Sequence, residues 1–177
     1  MYGRGGQGVV TAANILARAA CLAGLWSQTY PFFGAERRGA PVSASVRISK
    51  DRIRSKYIYI QPDVAIVLDH KLYNPVNIYQ SVKEGGVVII NTPFKVVKSY
   101  KHKVFYINAN EIARKLGLFF AGWSLVNMPM LGAFSKVTGL VGLEHVIQSV
   151  REYIHGELAE LNVEAVKLAY NEVYEDE

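Results

Sequence analysis

The chain has 177 residues, is 50% hydrophobic and carries a formal net charge of +5. A chain of this length and composition can bury one sizeable core, and no linker or repeat divides it, so we predict a single domain over residues 1–177. Its apolar runs are far shorter than a membrane span, its start lacks the order of a secretory signal, and Cys21 is its only cysteine. These features exclude a membrane protein, an internal disulfide and a cysteine-built metal cluster, and they indicate a cytoplasmic protein.

Charge is distributed unevenly along the chain. Residues 1–60 are basic, with Glu36 and Asp51 as their only acids, whereas residues 157–177 are acidic, with Lys167 as their only base. A basic segment raises the local concentration of anions, so we expect an anionic ligand or an acidic partner. We do not expect nucleic acid, because no motif that reads it is present.

The first informative stretch is a glycine-rich loop at residues 3–8, GRGGQG, which runs directly into helix-forming residues. Glycines allow positive φ angles and close approach of a ligand. A helix that starts from such a loop directs backbone N–H groups and the positive end of its dipole towards that ligand, so a phosphate fits there, and Arg4 adds a charge. A plain turn that only starts a helix is an equal alternative.

Two features argue against a simple dinucleotide fold. A strand should precede the loop, but only Met1 and Tyr2 do, so we expect the first strand to be missing from the chain. An NAD site also needs a carboxylate about 20 residues further on, and no acid occurs before Glu36. The loop therefore predicts phosphate binding without an NAD ribose site.

Hydrophobic patterning predicts the remaining elements in chain order. A helix over residues 8–23 is followed by a strand over 26–30, ended by Pro31, and by strands over 42–48, 57–60 and 64–68. Then come a helix over 74–83, strands over 87–91 and 104–107, and helices over 110–116, 124–136, 143–154 and 158–174. This order predicts an α/β fold: a Rossmann-like, open, mostly parallel sheet flanked by helices, with a helical C-terminal third.

The last predicted helix carries an apolar stripe at helical spacing. Leu158, Leu161, Ala165, Leu168, Ala169 and Val173 form it. We interpret this stripe as core packing rather than as a binding face.

Three further positions are candidates for ligand contact. Arg37 and Arg38 lie between glycines in a turn, and guanidinium groups suit phosphate or a partner's carboxylate, although a solvated turn is the alternative. Asn91 ends a predicted strand and Asn127 precedes a predicted helix, and both would lie at the ligand-binding rim of such a sheet. Asn127 is equally well explained as a helix N-cap.

No catalytic constellation is recognisable in the chain. The four histidines are scattered, no nucleophile elbow occurs, and Asp63 and Asp69 flank a strand where they would cap turns. We therefore predict no catalytic residue and no metal site in this chain.

Three separated motifs resemble one family. Residues 3–13 read GRGGQGVVTAA, residues 30–41 read YPFFGAERRGAP and residues 127–134 read NMPMLGAF. In this order they resemble the gamma subunit of the 2-oxoacid:ferredoxin oxidoreductases, with pyruvate synthase, also called pyruvate:ferredoxin oxidoreductase, as the nearest member. The resemblance extends over nearly the whole chain.

The resemblance implies a subunit of an enzyme that oxidatively decarboxylates a 2-oxoacid to its acyl-CoA and passes electrons to ferredoxin, or runs in reverse. It implies alpha, beta and delta partner subunits, which hold thiamine diphosphate and the iron–sulfur clusters, and a coenzyme A site here. By similarity, the backbone of Gly5, Gly6, Gln7 and Gly8 holds CoA phosphates. Arg37 and Arg38 lie near its anionic part, and Asn91 and Asn127 contact other polar parts.

Two rival interpretations belong to other functional classes. One is a stand-alone Rossmann-type oxidoreductase with a nucleotide cofactor, which the missing carboxylate argues against. The other is a module whose residues 32–41 only dock subunits. Within the resembling family the sequence does not distinguish among pyruvate, 2-oxoisovalerate, 2-oxoglutarate and indolepyruvate as the oxoacid.

Overall fold

The computed structural model describes residues 1–32, 39–55, 61–72, 75–95 and 99–175. Its strands are Tyr2–Arg4 (β1), Trp26–Phe32 (β2), Pro41–Ser49 (β3), Val64–Val67 (β4), Val87–Asn91 (β5), Lys103–Ile107 (β6), Phe119–Phe120 (β7), Trp123–Ser124 (β8) and Tyr174–Glu175 (β9). Its helices are Val9–Leu22 (α1), Pro75–Ser81 (α2), Ala109–Lys115 (α3), Asn127–Thr138 (α4), Leu143–Tyr153 (α5) and Glu157–Glu172 (α6). No helix among these residues is both long and apolar enough to cross a membrane.

One sheet organises the described part of the chain, with strand order β2-β3-β1-β4-β5-β6-β9. The four central strands, β1, β4, β5 and β6, pair in parallel. The pairs β2–β3, β3–β1 and β6–β9 are antiparallel. The predicted open, mostly parallel α/β sheet with a helical C-terminal third is therefore confirmed.

Both faces of the central sheet are covered, which explains why β4 is apolar throughout and β5 is apolar from Val87 to Ile90. Ile66 and Ile89 face the large core that α1 and α3 to α6 share. Val67 and Val88 face a smaller cluster that includes Ile78 of α2. Because neighbouring residues of a strand point to opposite faces, continuous hydrophobicity indicates a strand buried on both sides.

The expectation that a first strand is missing is wrong. Tyr2 pairs with Ser43 on one side and with Val67 on the other, so β1 lies in the middle of the sheet. The strand includes Gly3 and Arg4, both of which were predicted to lie in the glycine-rich loop. Gly3 hides the strand pattern, because it has no side chain and packs so close to α1 that a β-carbon would lie 2.6 Å from Val9 Cγ2.

Other boundaries also differ from prediction, among them the end of α6 at Glu172, after which Tyr174 lies in β9, and one predicted strand is not tested. β2 continues through Pro31, which lies opposite Ala44. An edge strand tolerates proline because the backbone groups on its outer side make no hydrogen bonds to another strand. Helix α4 begins at Asn127 rather than near residue 124, because β7 and β8 form a separate antiparallel hairpin. The strand predicted over residues 57–60 lies outside the described residues.

Helices α4 and α6 cross at a glycine that permits backbone contact. A β-carbon added to Gly132 would lie 2.1 Å from the carbonyl oxygen of Val166. This oxygen belongs to the backbone of α6 and cannot move aside as a flexible side chain would. The crossing therefore depends on the absence of a side chain at position 132.

The Gly132→Ala substitution tests this crossing, because helix propensity and the overlap with α6 predict opposite changes in the free energy of unfolding. Helix propensity alone would make Gly132→Ala stabilising by about 1 kcal/mol. Because of the overlap with α6, we expect instead a net loss of about 2 kcal/mol in the free energy of unfolding. Denaturant titration measures this loss, provided that the two proteins have the same m-value.

Gly142→Ala is the matched control. The nearest atom to its new β-carbon is His145 Nδ1 at 3.2 Å, at the end of a side chain that can rotate. We expect it to change stability by less than about 1 kcal/mol. A Gly132→Ala variant more stable than the parent would show that α4 and α6 do not touch here.

Candidate functional site

The glycine loop, residues 5–8, connects β1 to α1 and is closed by its own glutamine. The backbone N–H of Gln7 donates to the Arg4 carbonyl oxygen at 3.0 Å, and the Arg4 N–H donates to Gln7 Oε1 at 2.7 Å. The Gln7 side chain is buried. It therefore shapes the loop, and its amide oxygen and backbone N–H are both used within the chain.

The loop ends in a left-handed residue that starts α1. Gly8 is the N-cap, with φ of +74°, and it supplies no side-chain cap; no acidic residue lies in the first turn of the helix. The first N–H groups of an α-helix have no partner within the helix and carry the positive end of its dipole. The amino end of α1 is thus a site where an anion is favoured.

Asn127 lies against this helix start. Its side-chain Nδ2 donates to the Gly8 carbonyl oxygen at 3.4 Å. A β-carbon on Gly8 would lie 2.3 Å from the same nitrogen. The N-cap of α4 is Val126 rather than Asn127. The N-cap interpretation of Asn127 is therefore wrong, and the structure places the Asn127 side chain against Gly8 of the glycine loop.

Arg4 does not present a free charge to the loop, contrary to expectation. Its Nε donates to Asp69 Oδ2 at 2.6 Å, and its Nη1 donates to the Gly39 carbonyl oxygen at 3.0 Å. The other Asp69 oxygen accepts the backbone N–H of Lys71 at 2.9 Å. Asp69 thus caps a turn, as predicted, and in addition it fixes the guanidinium of Arg4.

Arg37 and Arg38 lie outside the described residues. The residues that follow them are held on the glycine loop by backbone hydrogen bonds. The Gly39 N–H donates to the Gly5 carbonyl oxygen at 3.2 Å, and the Gly5 N–H donates to the Ala40 carbonyl oxygen at 2.9 Å. The backbone of the two residues that follow Arg38 in the sequence is therefore bonded to the glycine loop.

The β7–β8 hairpin places an indole over the loop. Its tight turn has positive φ at Ala121 (49°) and Gly122 (83°). A β-carbon on Gly6 would lie 3.7 Å from Trp123 Cδ1, and one on Gly39 would lie 3.9 Å from Trp123 Cζ2. Sequence reasoning missed this hairpin. Aromatic residues on both sides of an Ala-Gly pair were the signal that could have identified it.

Two cavities lie on either side of the glycine loop, and Trp123 borders both. The apolar cavity encloses about 940 Å³. Besides the loop, it is lined by Val10, Val42, Phe120, Leu125, Ile154 and Leu158. The polar cavity encloses about 630 Å³. It is lined by Gln7, Asp69, His70, Lys71, Asn110 and Ser124. Volumes of this order are those of small-molecule sites.

Asn91 lies behind the polar cavity rather than in its wall. It is buried at the end of β5, where its Nδ2 donates to the Leu68 carbonyl oxygen at 2.8 Å. Its Oδ1 accepts from Asn110 Nδ2 at 3.4 Å, and Asn110 lines the cavity. The structure brings Gly5, Gly6, Gly8 and Asn127 to one cavity, and it connects Asn91 to the other through Asn110.

Residues 1–172 match the family pyruvate ferredoxin/flavodoxin oxidoreductase. The chain belongs to this family. A pyruvate synthase subunit PorC from Methanothermobacter marburgensis is 45% identical over 97% of this chain and 94% of its own length. The pyruvate/ketoisovalerate oxidoreductases common subunit gamma of Pyrococcus furiosus is 42% identical over 98% of this chain and 96% of its own length. The resemblance inferred from the three motifs is confirmed.

Solved structures of the oxidoreductase family share the fold. The pyruvate oxidoreductase subunit PORC of Thermotoga maritima is 32% identical, with a TM-score of 0.81, over 99% of this chain and 96% of that one. A 2-oxoglutarate:ferredoxin oxidoreductase from Magnetococcus marinus was solved with 2-oxoglutarate, coenzyme A and succinyl-CoA bound. It is 20% identical, with a TM-score of 0.79 over 96% of this chain, and this chain covers 29% of it. Members of the family are thus subunits or parts of larger oxidoreductases.

The contact between Gly8 and Asn127 can be tested by a double-mutant cycle on stability. Gly8→Ala should cost about 3 kcal/mol, because it adds overlap with Asn127 to the penalty of a left-handed alanine. In an Asn127→Ala background the overlap disappears, and Gly8→Ala should cost only about 1 kcal/mol. Denaturation of the four proteins gives a coupling energy of about 2 kcal/mol. Additive effects would contradict the packing of α4 on the amino end of α1.

Proposed function

We propose that this chain is the gamma subunit of a 2-oxoacid:ferredoxin oxidoreductase, with pyruvate as the oxoacid, and that it holds coenzyme A. The complex decarboxylates the oxoacid to its acyl-CoA and transfers electrons to ferredoxin, in either direction. Alpha, beta and delta subunits complete it in the cytoplasm and hold thiamine diphosphate and iron–sulfur clusters. Residues 1–177 act in it as one domain. Catalytic groups belong to the partners.

The observation that carries this proposal is the amino end of α1, which opens between two cavities. Gly8, the left-handed N-cap, directly precedes the first N–H groups of the helix. It has no side chain that could accept a hydrogen bond from them. Backbone amides at a helix start suit a pyrophosphate, which coenzyme A carries between its nucleotide and its pantetheine arm. The proposed contacts are made by the backbone of Gly5, Gly6, Gln7 and Gly8. Because the N–H groups of Gly5 and Gln7 already donate to the Ala40 and Arg4 carbonyl oxygens, the N–H groups of Gly6 and Gly8 are the proposed phosphate donors, and Gly5 and Gln7 contribute by close approach.

The relatives agree with a site for the carrier rather than for the oxoacid. The Pyrococcus furiosus relative is common to a pyruvate and a ketoisovalerate enzyme, which indicates that the gamma subunit there does not select the oxoacid. The Magnetococcus marinus enzyme was solved with coenzyme A bound. The first fact supports assigning oxoacid recognition to the partners of this chain. The second is that coenzyme A, with 2-oxoglutarate and succinyl-CoA, is bound by an enzyme of which one part has this fold.

A subunit that holds coenzyme A contributes to the reaction by position. When the thiol is held beside the acyl group formed in a neighbouring subunit, a bimolecular encounter becomes a nearly unimolecular step. Such positioning is worth several kcal/mol. It requires binding groups but no acid, base or nucleophile, which fits the apolar cavity, whose lining beyond the glycine loop is mainly aliphatic and aromatic.

Arg37 and Arg38 are proposed to contact the anionic part of coenzyme A, because the segment after them is bonded to Gly5. Arg37→Ala/Arg38→Ala should lower the affinity of the assembled complex for coenzyme A at least about tenfold, since it removes charge-assisted contacts. Titration calorimetry on the complex purified through this subunit measures this affinity.

Arg52→Ala/Arg54→Ala is the matched control for this pair. β3 starts at Pro41, opposite Arg4, and ends at Ser49, opposite Trp26, so these two arginines follow its far end. Unchanged affinity in the Arg37/Arg38 variant would remove both residues from the site. Disassembly of the complex with intact coenzyme A binding would assign residues 32–41 to subunit docking. NAD or flavin retained by the purified chain would support the stand-alone oxidoreductase.

A further inference from the structure

The two cavities beside the glycine loop differ in chemistry. The polar cavity has a lysine, a histidine, an amide and a hydroxyl in its wall, whereas the apolar cavity is bordered mainly by aliphatic and aromatic side chains. Both are lined by Arg4 and Trp123, and the indole of Trp123 packs against Gly6 and Gly39. A ligand that crosses the loop would therefore have one end in each environment.

Lys71 gives the polar cavity its positive character. Asp69 also borders this cavity, but Arg4 holds its Oδ2 and the backbone N–H of Lys71 holds its Oδ1. The carboxylate is thus paired, and the side chain of Lys71 is exposed at the rim. His70 and Asn110 add polar groups beside it. A terminal phosphate would find a cation there rather than a net negative charge.

The apolar cavity continues from the first turn of α1 to the junction of α5 and α6. Leu158 was predicted to pack in the core, but it is 49% exposed and borders this cavity together with Ile154. Val10 of α1 and Leu125 close the opposite side. Aliphatic walls of this kind favour the methyl-bearing arm of a ligand over a charged group.

Coenzyme A has two such unequal ends, an adenosine that carries a 3′-phosphate and a pantetheine arm. We propose that it lies across the glycine loop beside Trp123, with the nucleotide phosphate at Lys71 in the polar cavity and the pantetheine arm along Leu158 in the apolar cavity. The inference rests on the proposed function and adds an orientation to it. It also names Lys71 and Leu158 as binding residues.

Fragments of coenzyme A separate the two ends experimentally. Dephospho-CoA lacks the 3′-phosphate, and adenosine 3′,5′-bisphosphate lacks the pantetheine arm. In the assembled complex, Lys71→Ala should weaken CoA and the bisphosphate about tenfold and leave dephospho-CoA unchanged. Leu158→Gln should weaken CoA and dephospho-CoA about fivefold and leave the bisphosphate unchanged. Calorimetry or competition with labelled CoA gives the nine affinities of the parent and the two variants for the three ligands.

Matched controls make the same substitutions, lysine to alanine and leucine to glutamine, at positions that border neither cavity. Lys167→Ala deletes an exposed lysine of α6, and Leu140→Gln changes a leucine that is 48% exposed and borders neither cavity. Both should leave all three ligands unaffected. Circular dichroism and subunit content of the complexes verify that each variant is folded and assembled.

The opposite pattern overturns the orientation. If Lys71→Ala weakens dephospho-CoA as much as CoA, or if Leu158→Gln weakens the bisphosphate, the assignment of the two ends is wrong. The proposed function survives either result, because the parent complex still binds coenzyme A. A parent complex that binds none of the three ligands would reject the proposed function together with the orientation.

Discussion

The amino end of α1 depends on how closely other backbone segments approach it. Gly8 takes a left-handed conformation in direct contact with the start of α4, and no residue with a β-carbon fits there without displacing Asn127. Gly5 is bonded to the segment that begins at Gly39, and Arg4 bridges from β1 to Asp69. Segments distant in sequence therefore converge on one loop, and the helix dipole points into the space that they leave.

The proposed recognition through backbone atoms would explain the composition of the site. Amide groups at a helix start bind a phosphate without a conspicuous side chain, so the loop shows glycines where an enzyme site would show acids, bases or metal ligands. Side chains near the loop have structural tasks: Gln7 closes the turn and Asp69 holds Arg4. Such a site can hold and orient a substrate while neighbouring subunits perform the chemistry.

Local patterns predicted most of the fold. Apolar runs marked β4 and β5, and the glycine loop followed by helix-forming residues marked α1, because these features depend on residues adjacent in the sequence. The sequence did not reveal β1, because Gly3 removes the alternation of a strand and tertiary pairing alone defines it. The hairpin that carries Trp123 was missed because two-residue strands have too few residues to show a period.

The candidate site was predictable only in part. Gly5, Gly6, Gly8 and Asn127 border one cavity, at the edge where a parallel sheet is expected to bind its ligand. The pairing of Arg4 with Asp69 joins residues 65 positions apart, and no local pattern encodes it. Asn91 was correctly placed at the end of β5, but its amide bonds to Leu68 and Asn110, which depends on how α3 packs. Long-range packing thus determines which polar groups remain available to a ligand.

Amide hydrogen exchange of the assembled complex, with and without coenzyme A, tests the central claim most directly. We predict that coenzyme A slows exchange at residues 5–11 and leaves residues 143–146 unchanged. The latter start α5, which also follows a glycine without a side-chain cap but borders neither cavity. Unchanged exchange at residues 5–11 in a complex saturated with coenzyme A would contradict anion binding at the amino end of α1.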